Sequence, residues 1–304
     1  MIKSSLASAG FIFSLLPQVA FAFSSARDTS GSELNEVQVL NSLLAREHMG
    51  NAFYNQSFTK YCQQGFLDAG LPIWARNRWT EMAEHQATYV SFLQNILGDE
   101  AVQPCTYNFP DQDPWSFADL SYMLETSGIS AYSGAARYLS SQDLVSTFGA
   151  ILATKARHAA WVNSAINDAN PWSSAFETPL DLNQVFTLTS GFVVSCPSAQ
   201  PASTAPTKPF SKLTLPPKSQ PGQTTQLSFD APDSSNNLYA WFASGLQSVV
   251  VLLNGDKTVT IPPHIKGTVY ALVCTSNSTM NDALTVAGPV FLNFNYDANG
   301  QHIP

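Results

Sequence analysis

The sequence predicts an all-α four-helix bundle followed by a small all-β, sandwich-like domain. Three observations carry this expectation: four successive stretches of about 26 residues with apolar side chains at helical spacing, a Pro/Ser/Thr-rich break after Cys196, and a series of short β-branched segments beyond it. At about 1.5 Å per residue each helix is roughly 40 Å long, and helices of matched length bury one another as a bundle.

The first helix is expected over 32–61, with Ser30 and Glu33 spaced as a capping box and Leu40, Leu43, Leu44, Glu47, Asn51 and Tyr54 on one stripe. The second begins at Pro72, a favoured first-turn residue, and stops at Gly98, turning Trp79, Met82, Gln86, Tyr89, Leu93 and Leu97 inward. A third starts at Asp113-Pro114 and runs through Leu120, Leu124, Glu125 and Tyr132 to about 139. The fourth is capped by Ser140 and Asp143, carries Phe148, Ile151, Lys155, His158 and Val162 inward, and cannot continue through Pro171. A shorter helix over 182–189 leads to Cys196.

From 197 to 222 Pro, Ser and Thr dominate without periodicity, which reads as a linker. Strands are expected over 226–229, 238–242, 249–253, 259–261, 268–274 and 290–294, with Asn254-Gly255 as a hairpin turn. The chain thus divides into a leader (1–22), a helical domain (23–196), a linker (197–222) and a β-domain (223–304). The 304 residues suit two domains.

Charged residues make up 12% of the chain and aromatics another 12%, so Ser, Thr, Asn and Gln must solvate the surface, as in extracellular proteins. With a net charge of −8 and no run of Lys or Arg, the chain offers no footprint for nucleic acid. Lys3, the apolar stretch around Phe11 to Leu16 and the small-residue pattern Ala20-Phe21-Ala22 read as a secretory signal peptide cleaved after Ala22. Pro17 and Gln18 interrupt the stretch short of the roughly 20 apolar residues of a membrane span, and no later segment is apolar enough to be one. Cleavage removes Lys3, taking the charge from −8 to −9. Four cysteines on such a route imply disulfides. Asn55-Gln56-Ser57 and Asn277-Ser278-Thr279 are glycosylation sequons.

Polar residues on the inward stripes need partners, because a buried unpaired charge costs several kcal/mol. Glu47, Glu125, Lys155 and His158 lie near mid-length on three helices and can converge. One reading is a polar network in which Lys155 neutralises the carboxylates; the other is a metal site.

Four stretches carry a resemblance: 43–54 (LLAREHMGNAFY), 101–110 (AVQPCTYNFP), 156–162 (ARHAAWV) and 178–185 (TPLDLNQV), together with Val286-Ala287-Gly288-Pro289. The chain resembles fungal secreted ferritin-like-domain proteins of the stress-response and late-sexual-development type, over nearly its whole length beyond the leader. Ferritin-like di-metal sites take one Glu from each of two helices and a Glu-x-x-His pair from each of the other two. Glu47 and Glu125 fit the single-Glu positions. The resemblance implies Glu and His where Gln86 and Tyr89 stand, and Glu where Lys155 stands; His158 is kept.

Four carboxylates would balance two divalent ions, whereas Glu47, Glu125 and Lys155 supply one net negative charge. No cofactor is therefore expected, the alternative being one Fe, Mn or Zn ion on Glu47, Glu125 and His158. Glu81 and His85 beside Glu84 could also ligate zinc but read as a solvated face. His48 reads as a core histidine. No Gly-x-Ser-x-Gly, phosphate-binding loop or Cys-x-x-Cys is present. The expected protein is a non-enzymatic, secreted pseudo-ferritin-like scaffold of a cell surface or wall. The alternatives are a metal-dependent oxidase or peroxide-handling enzyme, and a module whose β-domain binds a wall polysaccharide or protein partner. The resemblance also suggests Cys105 pairing with Cys196, with Cys62 and Cys274 either paired or separate.

Overall fold

In the computed structural model the described residues are 34–198, 200–201, 207–230 and 237–303, together with the backbone of Val19–Phe21. The other residues of the leader, and the Ser30/Glu33 pair, lie outside them. Helix α1 (Glu36–Lys60) starts at a capping box five residues later than expected: Asn35 accepts from the Gln38 N–H, and the Gln38 side chain accepts from Asn35 N–H. Asn35 directly precedes the apolar run containing Val39 and Leu40, both buried.

Helix α2 (Gln63–Asp68) was not anticipated, because a helix of under two turns has no readable period. Phe66, fully buried, pins it to the bundle. Helix α3 (Ala75–Leu97) begins three residues after Pro72, which instead closes a turn by accepting from Ala75 N–H. The short strand β2 (Thr106–Tyr107) precedes α4 (Pro114–Ala135), which is capped by Asp113 and followed by a 3-10 turn over Ala136–Tyr138. Ser141, rather than Ser140, caps α5 (Gln142–Trp161); the backbone N–H and hydroxyl of Ser140 are taken by Glu36. Helix α5 widens into a π-turn, Val162–Ile166, before Asp168 breaks it with a positive φ of 50°.

Helices α1 and α3 pack as one pair and α4 and α5 as the other, giving the four-helix bundle. Helix α6 (Leu182–Ser190) then leads to β3 (Val193–Ser195), which pairs antiparallel with β2. Beside that ladder Cys105 and Cys196 are joined, their Cα atoms 4.2 Å apart. Cys62 and Cys274 remain separate, one exposed and one buried.

The β-region comprises β4 (Thr224–Gln226), β5 (Tyr239–Ser244), β6 (Gln247–Leu252), β7 (Thr258–Thr260), β8 (Gly267–Cys274) and β9 (Thr285–Phe294). With β1 (Val19–Phe21), the larger antiparallel sheet runs β1-β6-β5-β8-β9, and β4-β7 forms a second, two-stranded sheet. Strand β8 is buried along its whole length because both its faces are covered. Val269, Ala271 and Val273 pack against Leu227, Val259 and Ile261 of the smaller sheet, while Tyr270, Leu272 and Cys274 join the core of the bundle. Hydrogen bonds cross that second face, from Tyr270 to Ser130 (2.9 Å) and from Tyr122 to Thr268 (2.9 Å). Within the Pro/Ser/Thr-rich stretch, Leu213 is buried in the β-core and Ser211 and Thr214 bridge to Ala287 and Ser228. Among the described residues no helix is long and apolar enough to cross a membrane.

Candidate functional site

Mid-length in the bundle, α1, α3, α4 and α5 point charged and polar side chains at one another. Glu47, Lys155, Glu125 and Gln86 are each at most 1% exposed. The Lys155 ammonium donates to Glu47 Oε2 at 2.9 Å and to Gln86 Oε1 at 2.6 Å, bridging three helices. Its charge also lies 5.0 Å from the Tyr89 ring and 6.0 Å from that of Tyr132. Two glycines make room for this: a Cβ on Gly50 would fall 1.9 Å from the Gln86 amide nitrogen, and one on Gly128 would meet Lys155 Cδ at 3.1 Å.

Glu125 is held separately. Tyr54 donates to its Oε1 at 2.8 Å, and His158 Nδ1 approaches Oε2 at 3.2 Å. Burial alone would push the carboxyl up, but the Lys155 charge, the His158 hydrogen bond and charge, and the Tyr54 hydrogen bond together take it down to about 2. Burial pushes the Tyr54 phenol well up, reinforced by the Glu125 charge, so it stays a donor. Tyr89, half-buried and close to both carboxylates, is pushed up to about 12, burial being the main cause.

Sequence reasoning missed two members of this site. Arg46 is 4% exposed and donates through Nη2 to the Leu124 carbonyl and to Ser127 (3.3 Å), while its Nε and Nη1 find no acceptor. No pattern in the sequence singled it out; in the fold it packs beside Gly128 of α4. The other is His85, expected on the solvated face with Glu81 and Glu84. Glu81 does pair outward, with Arg78 at 2.9 Å, but His85 Nδ1 lies 3.0 Å from His158 Nε2. Their rings are parallel within 7° with centroids 5.1 Å apart, an edge-to-edge hydrogen bond at the mouth of a shallow cavity of about 110 Å³. His48 is a core residue: it meets the Val102 carbonyl at 3.1 Å, and burial pushes its imidazole down.

Charge decides what this constellation can hold. Arg46 and Lys155 balance Glu47 and Glu125, so the four buried ionised groups sum to zero. A dinuclear centre takes four carboxylates and two imidazoles; the buried set here offers the carboxylates Glu47 and Glu125 with the amide Gln86, and the Lys155 ammonium fills the space between Glu47 and Gln86. The residues present do not fit such a centre. Nor do Glu47, Glu125 and His158 face a common point: Glu47 turns to Lys155 and Glu125 to Tyr54 and His158. Among the described residues no three His, Cys, Asp or Glu side chains gather in a way that could hold a metal ion.

Residues 35–168 match the family model of the ferritin-like domain. That span covers α1 to α5, so the helical half of the chain is a ferritin-like region, and the β-region lies beyond the match. A curated relative, Protein rds1 of Schizosaccharomyces pombe, is 24% identical over 163 residues. The match covers 54% of this chain but 40% of that relative's length.

Proposed function

We propose that this chain is a secreted, non-enzymatic ferritin-like protein whose bundle, once a metal carrier, serves as a scaffold at a fungal cell surface or wall during stress or development. The observation that carries this reading is the Lys155 ammonium between Glu47 and Gln86, where an ion would otherwise be needed to hold the carboxylates. The leader and the sequons support the secretory route, and the fission-yeast relative supports a fungal setting. The sheet covering one flank of the bundle supports a scaffold over a storage shell, because a flank covered by its own chain is not free for contacts between subunits.

The test is metal counting on desalted protein secreted from a fungal host, alongside the triple variant Gln86→Glu, Tyr89→His, Lys155→Glu. Gln86 and Tyr89, like Lys155 and His158, are three apart on a helix and share its inner face. The wild type should carry no stoichiometric metal. The variant should bind Mn(II) or Fe(II) and gain thermal stability on its addition, since a ligand of the folded state alone stabilises it. Stoichiometric Fe, Mn or Zn in the wild type would overturn the reading.

A further inference from the structure

A primary amine in contact with both a carboxamide and a carboxylate, sealed from water, is the starting arrangement for an amide exchange. Lys155 Nζ lies 2.6 Å from the carbonyl oxygen of Gln86 and 2.9 Å from Glu47 Oε2, and all three residues are at most 1% exposed. We propose that the chain cross-links itself here, by an isopeptide bond from Lys155 on α5 to Gln86 on α3, with Glu47 on α1 carrying the protons. The inference goes beyond the scaffold reading, resting on it only in that an amine rather than an ion fills the core.

The step balances without an oxidant or reductant. Glu47, which accepts from the Lys155 ammonium at 2.9 Å, takes one of its protons, leaving a neutral amine and a neutral acid. The freed lone pair forms a bond to Gln86 Cδ, and the carbonyl π electrons move to oxygen. The second Nζ proton passes through the Glu47 carboxyl to Gln86 Nε2. The C–Nε2 bond then breaks, the oxygen electrons restore the carbonyl, and ammonia departs. Glu47 ends as the neutral acid, so the buried charge of the group is zero before and after.

Three features of the site serve this reaction. The amine is already held against the amide, so the entropic cost of bringing reactants together is met by folding. The terminal torsion of a Gln side chain is soft, which lets the carbonyl turn its face to the nitrogen it now meets in hydrogen-bond geometry. The leaving nitrogen rests against Gly50, where the missing Cβ leaves space, and the acceptorless Nη1 of Arg46 borders the same spot and can donate to the departing ammonia.

The experiment is peptide mass spectrometry of the full chain, reduced, deglycosylated and digested with trypsin. A link blocks cleavage after Lys155, so peptides 79–137 and 138–157 should appear joined, with a mass lower than their sum by one ammonia. Gln86→Met should release them as separate peptides, with cleavage after Lys155 restored. Glu47→Gln should reduce the linked fraction at least tenfold while leaving the circular dichroism spectrum of a folded helical protein. Unlinked peptides from folded wild type would overturn the proposal and leave the scaffold reading standing. Equal linking in Glu47→Gln would overturn the role of Glu47. The metal count of the preceding test is independent of both results.

Discussion

Two ion pairs in this protein have the same length and opposite surroundings, which makes them a test of what burial does. Lys155–Glu47 and Arg78–Glu81 are both 2.9 Å contacts, but the first has 0% of either side chain exposed and the second 59% and 53%. The perturbation is Lys155→Met, which keeps most of the volume and removes the charge, compared with Arg78→Met. Both are made in a Gln86→Met background, so that Lys155 remains an ammonium that cannot be acylated. At 2.9 Å and an effective dielectric of about 20 the buried attraction is about 6 kcal/mol, and breaking such a pair leaves Glu47 charged and desolvated. The expected loss is about 3–5 kcal/mol, against about 0–1 kcal/mol for Arg78→Met. Urea unfolding at pH 7 followed by far-ultraviolet circular dichroism reads both. A Lys155→Met loss no larger than that of Arg78→Met would refute the claim that this ammonium holds the core together.

Folded Glu125 has its pKa lowered from 4.5 to about 2, so its ionised form stabilises the fold above pH 4.5, and that contribution is lost as pH falls through about 2. In the Gln86→Met background, where Lys155 keeps its charge, the chain with Glu125 should therefore exceed Glu125→Gln by about 3 kcal/mol at neutral pH, the gap closing towards pH 2 in acid-dependent urea titrations; a pH-independent gap would contradict the assignment. Gly50→Ala, which drives a Cβ into the Gln86 amide, should cost about 1–3 kcal/mol by thermal melting. Gly149→Ala in α5 meets nothing within 4 Å and should instead stabilise by about 1 kcal/mol. Replacing Cys105 and Cys196 by Ser opens a loop of 91 residues and should cost about 4–5 kcal/mol, with reduced wild type falling to the same midpoint.

The bundle was legible because its helices are long and amphipathic: the inward residues named from spacing, such as Leu43, Trp79, Leu93 and Phe148, are buried. Boundaries were less legible where several residues could serve as caps. Asn35/Gln38 repeats the spacing of Ser30/Glu33, and Ser141 adjoins Ser140, so the choice fell to packing rather than to local sequence. Strand β8 was expected over 268–274 and runs Gly267–Cys274, whereas helix α2 is too short to show a period and depends on which surfaces meet. At the candidate site, Glu47, Glu125, Lys155 and His158 were visible as polar breaks in apolar stripes. Arg46 was not, since its partners, the Leu124 carbonyl and Ser127, lie on another helix.

The balance of charge joins Gln86, Lys155 and Arg46 into one set with Glu47 and Glu125. A ferritin-like core with four carboxylates carries four negative charges that two divalent ions cancel; without the ions it would be held together against strong mutual repulsion. Gln at 86 removes one of those charges, and Lys at 155 removes a second and adds a positive one, leaving one negative charge. Arg46 supplies the remaining cation, anchored through Nη2 by the Leu124 carbonyl and Ser127. No one of these residues neutralises the interior alone. Lys155→Glu by itself would leave three carboxylates against Arg46, a net of two buried negative charges. That single variant should unfold more readily than Lys155→Met in metal-free buffer, and only added divalent cation should narrow the difference.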